Sequence, residues 1–196
     1  GLLYFRANNG TDGNELWRSD GSGAGTQMIK DINPNGHSNP HNFNVLNNVF
    51  YFVAEDEVYG TEVWSSDGTL SGTNILKDIN VGIPSGSSSY NDIESLNGQL
   101  YMSVNDGQNG FELWTSDGTS NGTKLIADIN SKSSSASISY HMLPYSGYLY
   151  FGANDGANGQ QLWRTDGSTA STAMFKQINP TGDADCGNFA VLNNVL

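Results

Sequence analysis

The most constraining feature of this sequence is a seven-residue motif that recurs four times along the chain. The motif reads Glu-Leu-Trp, one variable residue, then Ser, Asp and Gly, and its copies contain all four tryptophans. A repeat of about 20–50 residues is typical of solenoids, propellers and arrays. The copies begin at Glu15, Glu62, Glu112 and Gln161.

Each copy lies in a longer unit of four short strand-like segments. In the first unit, an aromatic alternating segment at 3–7 is followed by a polar loop, the motif strand, and a third strand at 27–32. A variable connector then leads to a short apolar strand at 43–46 and a two-residue turn, which is a strong hairpin signal. Four meandering strands followed by a crossover predict the blade of a β-propeller.

The ends of the chain predict how such a ring closes. The repeats span about 2–48, 49–98, 99–147 and 148–194, and the first lacks its leading strand. The segment 188–194 supplies a matching strand, so we expect one all-β domain over 1–196 with four blades of four antiparallel strands. The closing blade is then shared between the N- and C-termini, which removes open sheet edges. Two alternatives stay open: an excerpt of a longer array, or a homo-oligomer in which two copies close a larger ring.

Charge and composition narrow the classes of partner. The net charge of −12 opposes binding to nucleic acid and to anionic membrane surfaces. No apolar run approaches the roughly 20 residues that span a bilayer, so membrane insertion is not expected. Cys186 is the one cysteine, which excludes an intrachain disulfide framework. The sequence begins at Gly1 with no visible signal peptide, so we expect either a removed leader or an excerpt.

The motif resembles the ELWxxDGT repeat family of secreted, mostly bacterial proteins. The resemblance covers the whole chain, and the copies at 62–69 and 112–119 fit best. It implies a propeller-like repeat and an extracellular location, and it implies no catalytic activity. The departures from the pattern are Gln161, Val63, Thr165, Ser22 and Ser168.

The repeated tryptophans and acids are the first candidates for a ligand site. Each Trp is interpreted either as a wedge packed between blades or as a platform for a sugar ring. Each Glu could accept hydrogen bonds from sugar hydroxyls, or from backbone N–H groups of the neighbouring blade. Gln161 keeps an acceptor without the charge. These candidates are Glu15, Trp17, Glu62, Trp64, Glu112, Trp114, Gln161 and Trp163.

The polar loop before each motif supplies the second set of candidates. In a meander this loop lies on the same rim as the connector, and ligands often bind such loop faces. Oxygen-rich loops can hold Ca²⁺, but the spacing does not match an EF-hand and turn chemistry also explains these residues. We therefore expect no cofactor, with Ca²⁺ in these loops as the open alternative. The loop candidates are Asn8, Asn9, Asp56, Asn105, Asp106, Asn154 and Asp155.

The remaining polar residues point to structure rather than to chemistry. Asp20, Asp67, Asp117 and Asp166 precede Gly and are expected to be turn residues. The histidines, His37, His41 and His141, have no regular spacing, so a metal cluster is not expected. No nucleophile elbow, phosphate loop or Cys/His pair is present.

The sequence therefore favours a secreted, multivalent lectin of the galactose-binding kind over an enzyme. It would bind glycans or glycoproteins at repeated sites on the rim and agglutinate cells, since several weak sites on one body raise avidity. The alternatives are a structural or adhesive segment of a larger surface protein and an enzyme that acts on polysaccharide through paired carboxylates.

Overall fold

The fold consists of antiparallel β-sheets arranged in two compact units. The computed structural model describes residues 1–82, 90–131 and 138–192, and the units are Gly1–Ser88 and Ser89–Leu196. The strands of the first unit are β1 (Leu3–Asn8), β2 (Asn14–Ser19), β3 (Gln27–Lys30), β4 (His41–Leu46), β5 (Val49–Asp56), β6 (Gly60–Ser66) and β7 (Asn74–Lys77).

The second unit repeats the same succession of strands. Its one helical element among the described residues is a 3-10 turn at Thr169–Ser171, and no helix there is long and apolar enough to cross a membrane. Its strands are β8 (Tyr90–Leu96), β9 (Gln99–Asn105), β10 (Phe111–Ser116), β11 (Lys124–Ala127), β12 (Ile138–Tyr145), β13 (Tyr148–Asn154), β14 (Gln160–Thr165) and β15 (Ala173–Lys176).

The sheets follow the order of the chain, which confirms the predicted antiparallel meanders. Three sheets have four strands, in the orders β4-β5-β6-β7, β8-β9-β10-β11 and β12-β13-β14-β15, and the sheet β1-β2-β3 has three. We call β4, β8 and β12 the leading strands, because each begins its sheet. Residues 188–191, predicted to lie in a strand, have no regular secondary structure, and Leu192 makes an isolated bridge. Residues 193 and 194 lie outside the described range.

The turns after the leading strands form as the sequence predicts. Asn47 and Asn48 both have positive φ, at 51° and 63°. The pairs Asn97-Gly98 and Ser146-Gly147 have the same left-handed conformation. Positive φ at both central residues matches the right-handed twist of the strands, so the two-residue hairpins predicted at these places are confirmed.

Two of the four tryptophans, Trp64 and Trp163, pack between neighbouring sheets, as the wedge interpretation expects, whereas Trp17 and Trp114 are half-buried. In the first unit, Trp64 of β6 lies in one cluster with Leu16 of β2 and Ile29 of β3. In the second, Trp163 of β14 clusters with Leu113 of β10 and Tyr101 of β9. Trp64 and Trp163 are 5% and 9% exposed, so their rings stabilise the packing of one sheet on the next.

Polar contacts also join consecutive sheets within each unit. Arg18 Nη1 donates to the carbonyl of Gly68 at 2.6 Å, and Lys30 Nζ donates to the carbonyl of Thr73 at 2.7 Å. The Tyr4 hydroxyl lies 2.4 Å from the place where a Cβ on Gly68 would be, so this turn has no room for a side chain. Tyr101 and Gly167 repeat that close approach in the second unit.

The first and last connectors, at 33–42 and 179–188, adopt matching conformations. Each has two residues with positive φ three positions apart, Asn39 and Asn42 in one and Asp185 and Asn188 in the other. Each is also tied to the first residue of its motif strand. The amide of Asn14 donates to His37 Nδ1 at 2.9 Å, as the amide of Gln160 donates to Asp183 Oδ1 at 2.7 Å.

Candidate functional site

The glutamates of the motif are buried and bound to backbone amides. Glu15 is 0% exposed, and it accepts hydrogen bonds from the amide of Ile32 at 2.8 Å and from the amide and hydroxyl of Ser38 at 2.9 and 2.6 Å. Burial raises the pKa of this carboxyl, although the bonds from Ser38 and Ile32 act in the opposite direction. The carboxylate therefore fixes the path of the connector.

The equivalent side chains of the other repeats make the same bonds. Glu62 accepts from the amides of Ile79 and Asn80 at 3.1 and 3.0 Å, and Glu112 accepts from Ile129 at 2.8 Å. The amides belong to the same repeat, not to the neighbouring blade as the sequence suggested. The reason is that the chain turns back directly after the third strand and brings its own amides to the carboxylate.

Gln161 also binds the backbone of its own connector, but with an uncharged side chain. Its Oε1 accepts from the amide of Ile178 at 2.8 Å, and its Nε2 donates to the carbonyls of Asn158 and Asn179, both at 2.8 Å, and Gly182 at 2.9 Å. The side chain is 0% exposed. All four motif side chains at this position therefore lie away from the surface.

The side chains of the loop candidates accept hydrogen bonds from backbone amides of their own turns. Asp106 Oδ1 accepts from the amides of Gln108 and Asn109 at 2.9 and 2.8 Å. Burial alone would raise the pKa of Asp106, but the hydrogen bonds from these amides have the larger combined effect, so the pKa is lowered. Local bonds of this type also hold Asn8, Asn9, Asp56, Asn105, Asn154 and Asp155.

The aspartates of the motif are turn residues, as predicted. Asp67 Oδ1 accepts from the amide and the hydroxyl of Thr69 at 2.9 and 2.7 Å, which lowers the pKa of Asp67. The carboxylate lies so close to Gly72 that a Cβ there would be 2.0 Å from Oδ1. Asp20, Asp117 and Asp166 bind their turns in the same way.

A concave site that the repeats do not predict lies in the second unit. It is a cleft of about 420 Å³ between the leading strands β8 and β12 and a segment near the C-terminus. This volume falls in the range of about 300–1,000 Å³ that is usual for small-molecule sites. The cleft is lined by Asp92, Glu94, His141, Met142, Leu143, Asn188 and Phe189.

Asp92 links the two leading strands at the wall of this cleft. Its Oδ2 accepts from the amide of Met142 on β12 at 2.8 Å, and its Oδ1 accepts from the amide of Ile93 at 2.9 Å. Burial raises the pKa of Asp92, and the bonds from Met142 and Ile93 partly offset this. Two hydrogen bonds leave acceptor capacity on a carboxylate, so Asp92 can still bind a ligand.

Glu94 lies two residues further along the same strand and therefore on the same face of the sheet. Burial, together with the nearby charge of Asp92, raises the pKa of Glu94 to about 7. The amide of Ser95 donates to it and acts in the opposite direction. A carboxyl that titrates near neutral pH in a cleft is a recognised sign of a functional site.

The repeat is broken at this cleft. Glu94 pairs with Tyr101 on β9, and the residues that pair with the corresponding tyrosines are Asn44 in the preceding repeat and Leu143 in the following one. The same structural position thus carries a carboxamide, a carboxylate and an apolar side chain. Within the described residues, no group of three or more His, Cys, Asp or Glu side chains could hold a metal ion.

Comparison with known proteins supports the fold. No family model matches the sequence, and no curated protein matches it significantly. Among solved structures, a puromycin hydrolase, solved as a mutant complexed with PGG, aligns with a TM-score of 0.61 at 10% identity, covering 88% of this chain and 26% of the other.

Two further solved structures align over the same extent. One of two prolyl endopeptidases gives a TM-score of 0.56 at 12% identity, with 89% and 24% covered. Prolyl oligopeptidase B from Galerina marginata gives 0.51 at 13% identity, with 89% and 25% covered. The aligned parts are peptidase β-propeller domains, so the chain has a β-propeller-like fold and spans about a quarter of the length of these chains.

Sequence reasoning passed over the cleft because it followed the repeated positions. The signal was nevertheless available: Asp92 and Glu94 are two acids at alternate positions of a strand where the other repeats have none. The irregular spacing of the histidines argues against a repeated metal site, but a single asymmetric site such as the one that His141 lines needs no regular spacing.

Proposed function

We propose that this chain is a carbohydrate-binding β-propeller domain whose sugar site is the cleft between β8 and β12. The observation that carries the proposal is the lining of the cleft, which combines carboxylate and carboxamide acceptors with an imidazole and an aromatic ring. Sugar hydroxyls bind such acceptors, and the apolar face of a sugar ring packs on an aromatic side chain.

The proposal names one site per chain instead of four equivalent sites on the rim. Support comes from the repeated candidates, because the motif acids are 0% exposed and the loop acids bind their own turns. The partners are then glycans or glycoproteins outside the cell. Agglutination by such a protein requires that several chains associate.

Isothermal titration of the protein with galactose and other simple sugars tests this directly. We expect saturable binding with a stoichiometry of one, and we expect Glu94→Gln and Phe189→Ala each to weaken it by about tenfold. Asp128→Asn is the matched control, since it removes one exposed carboxylate of the same unit and should leave affinity unchanged. Four equivalent sites, or no binding by folded protein to any sugar on an array, would refute the proposal.

We also infer that the four sheets are blades of one ring in which 188–194 completes the sheet β1-β2-β3. Support comes from the strand count, since this sheet has three strands where the others have four. Ala190→Pro removes a strand donor and should speed hydrogen exchange of the β1 amides, whereas unchanged exchange would contradict the closure.

A structural segment of a larger surface protein is the second candidate. It is favoured by the share of the matched solved chains that this chain spans, about a quarter. The mass of the natural protein on a calibrated gel distinguishes the two, because a mass far above 21.0 kDa favours the larger assembly.

A further inference from the structure

We propose that the cleft between β8 and β12 selects a sugar that carries a protonated amine, a hexosamine, over the neutral hexose. This inference rests on the proposed sugar-binding function and names the class of sugar. It follows from the residues that line the cleft and from the hydrogen bonds that hold Asp92.

The lining of the cleft has more acidic side chains than basic ones. Among its seven lining residues are two carboxylates, on Asp92 and Glu94, and neither Lys nor Arg. His141 is the one lining side chain that can carry positive charge; it is exposed, and its charge acts to lower the pKa of Asp92. A neutral sugar would add no counter-charge for the second carboxylate, Glu94, whereas an ammonium group would supply one.

The geometry of the acids suits an ammonium group. Asp92 accepts hydrogen bonds from backbone amides of both β8 and β12, so its carboxylate is held in place before a ligand binds. Glu94 projects from the same face two residues away and is bound by one amide, that of Ser95. An ammonium has three N–H donors and can bridge two carboxylates of this kind.

A buried hydroxyl lies opposite Asp92 on the neighbouring strand. Ser103 on β9 lies directly opposite Asp92 in the sheet and is 0% exposed. Its Oγ has no hydrogen-bond partner among the residues that the structure describes. Buried hydroxyls are almost always hydrogen-bonded, so Ser103 adds an unsatisfied polar group behind Asp92, although it does not itself line the cleft.

The apolar side of the cleft fits the rest of the sugar. Phe189 is half-buried in the C-terminal segment, and Met142 and Leu143 of β12 continue this surface. An aromatic ring packs on the C–H face of a pyranose and also attracts a nearby cation. A hexosamine presents both features in one molecule, which a neutral sugar or a simple amine does not.

The experiment is a titration of the whole chain with galactosamine, galactose and N-acetylgalactosamine, at about pH 7, where an amine of ordinary basicity is protonated. We expect galactosamine to bind about tenfold more tightly than either of the others, because bonds to charged groups are the stronger ones. Added salt should reduce this preference, since it rests on charge.

Variants assign the preference to the cleft. Glu94→Gln should bring galactosamine and galactose within about twofold of each other, while Asp128→Asn should preserve the tenfold ratio. Circular dichroism of each variant checks its fold, and the wild-type series stands independently of any variant.

The outcomes separate this inference from the proposed function. Equal binding of galactosamine and galactose, or tighter binding of the N-acetylated sugar, overturns the preference and leaves sugar binding standing. Binding of ethanolamine as tight as that of galactosamine overturns the role of the sugar ring. Failure of all three sugars to bind overturns the preference for a hexosamine, and failure of the folded protein to bind any sugar on an array overturns both proposals.

Discussion

The second strand of each repeat and the leading strand that begins each sheet show opposite patterns. The second strands are nearly identical in sequence, and their Glu or Gln side chain is 0% exposed in all four. The leading strands differ at matching positions, where Asn44, Glu94 and Leu143 each pair with a tyrosine. Repetition in this chain therefore marks packing, and the departure from repetition marks the cleft.

Among substitutions that test whether the repeated positions serve packing, the largest loss of stability is expected at a repeated tryptophan. Trp64→Ala should lower the free energy of unfolding by about 3–5 kcal/mol, because it empties a site shared by two sheets. Urea denaturation followed by circular dichroism measures this. Val58→Ala, at a side chain that is 75% exposed, should change stability by less than about 0.5 kcal/mol. A similar loss in both variants would contradict the wedge.

A smaller loss is expected at a motif glutamate. Glu62→Ala leaves the buried amides of Ile79 and Asn80 without this acceptor and should cost about 2–4 kcal/mol. Glu62→Gln keeps one acceptor, as Gln161 does naturally, and should cost less than the Ala variant. Thermal unfolding of the pair compares them, and equal losses would show that the acceptor is not what matters.

The turn of the motif should give the next effect. A Cβ at Gly72 would lie 2.0 Å from Asp67 Oδ1, so Gly72→Ala should destabilise by about 1–3 kcal/mol through crowding. Gly23→Ala is the matched control, because nothing lies within 4 Å of its added Cβ. The denaturation midpoints of both variants decide this, and an undisturbed midpoint for Gly72→Ala would show that the turn can open.

The smallest effect is expected in the cleft, where stability should depend on pH. The pKa of Glu94 is raised from 4.5 to about 7, so the folded state binds a proton that the unfolded state has released between these values. This contribution is complete below about pH 4.5 and is lost as pH rises through about 7. The groups facing Glu94 are Asp92 on its own strand, Tyr101 on β9 and His141 on β12.

Glu94→Gln isolates this contribution from the other acids of the chain. Between about pH 5 and pH 8 the melting temperature of the variant should fall less than that of the wild type, because Gln does not titrate. Asp128→Asn should follow the wild type. Identical pH profiles for wild type and Glu94→Gln would show that this carboxyl is as well solvated in the folded chain as in the unfolded one.

The strands and turns were predictable from the sequence because local signals determine them. The alternating aromatic residues predicted the strand before each motif, and Asn47-Asn48 predicted a hairpin, which forms with positive φ at both residues. The turn role of Asp67 followed from the chemistry of Asp before Gly. Each of these features depends on neighbours within a few residues.

The cleft could not be predicted in the same way because it depends on contacts between distant residues. Asp92 accepts a hydrogen bond from the amide of Met142, fifty positions along the chain, and Phe189 comes from the segment that follows the last connector. Burial of the motif glutamates was likewise hidden, because Glu15 reaches amides 17 and 23 residues away. A repeated acidic side chain is expected at the surface, whereas in the folded chain Glu15, Glu62 and Glu112 are buried.

The matching connectors at 33–42 and 179–188 make this chain modular. Both are ten residues long in the sequence, begin Asn-Pro, and return the backbone through two left-handed residues at the same places. Replacing the connector at 179–188 by the sequence of 33–42 should therefore change its side chains and leave its backbone conformation unchanged. The last connector ends directly before Phe189, and its final residue, Asn188, corresponds to Asn42 of the first. The exchange should therefore keep both residues that this region contributes to the cleft, so the backbone of the connector can be redesigned separately from the lining.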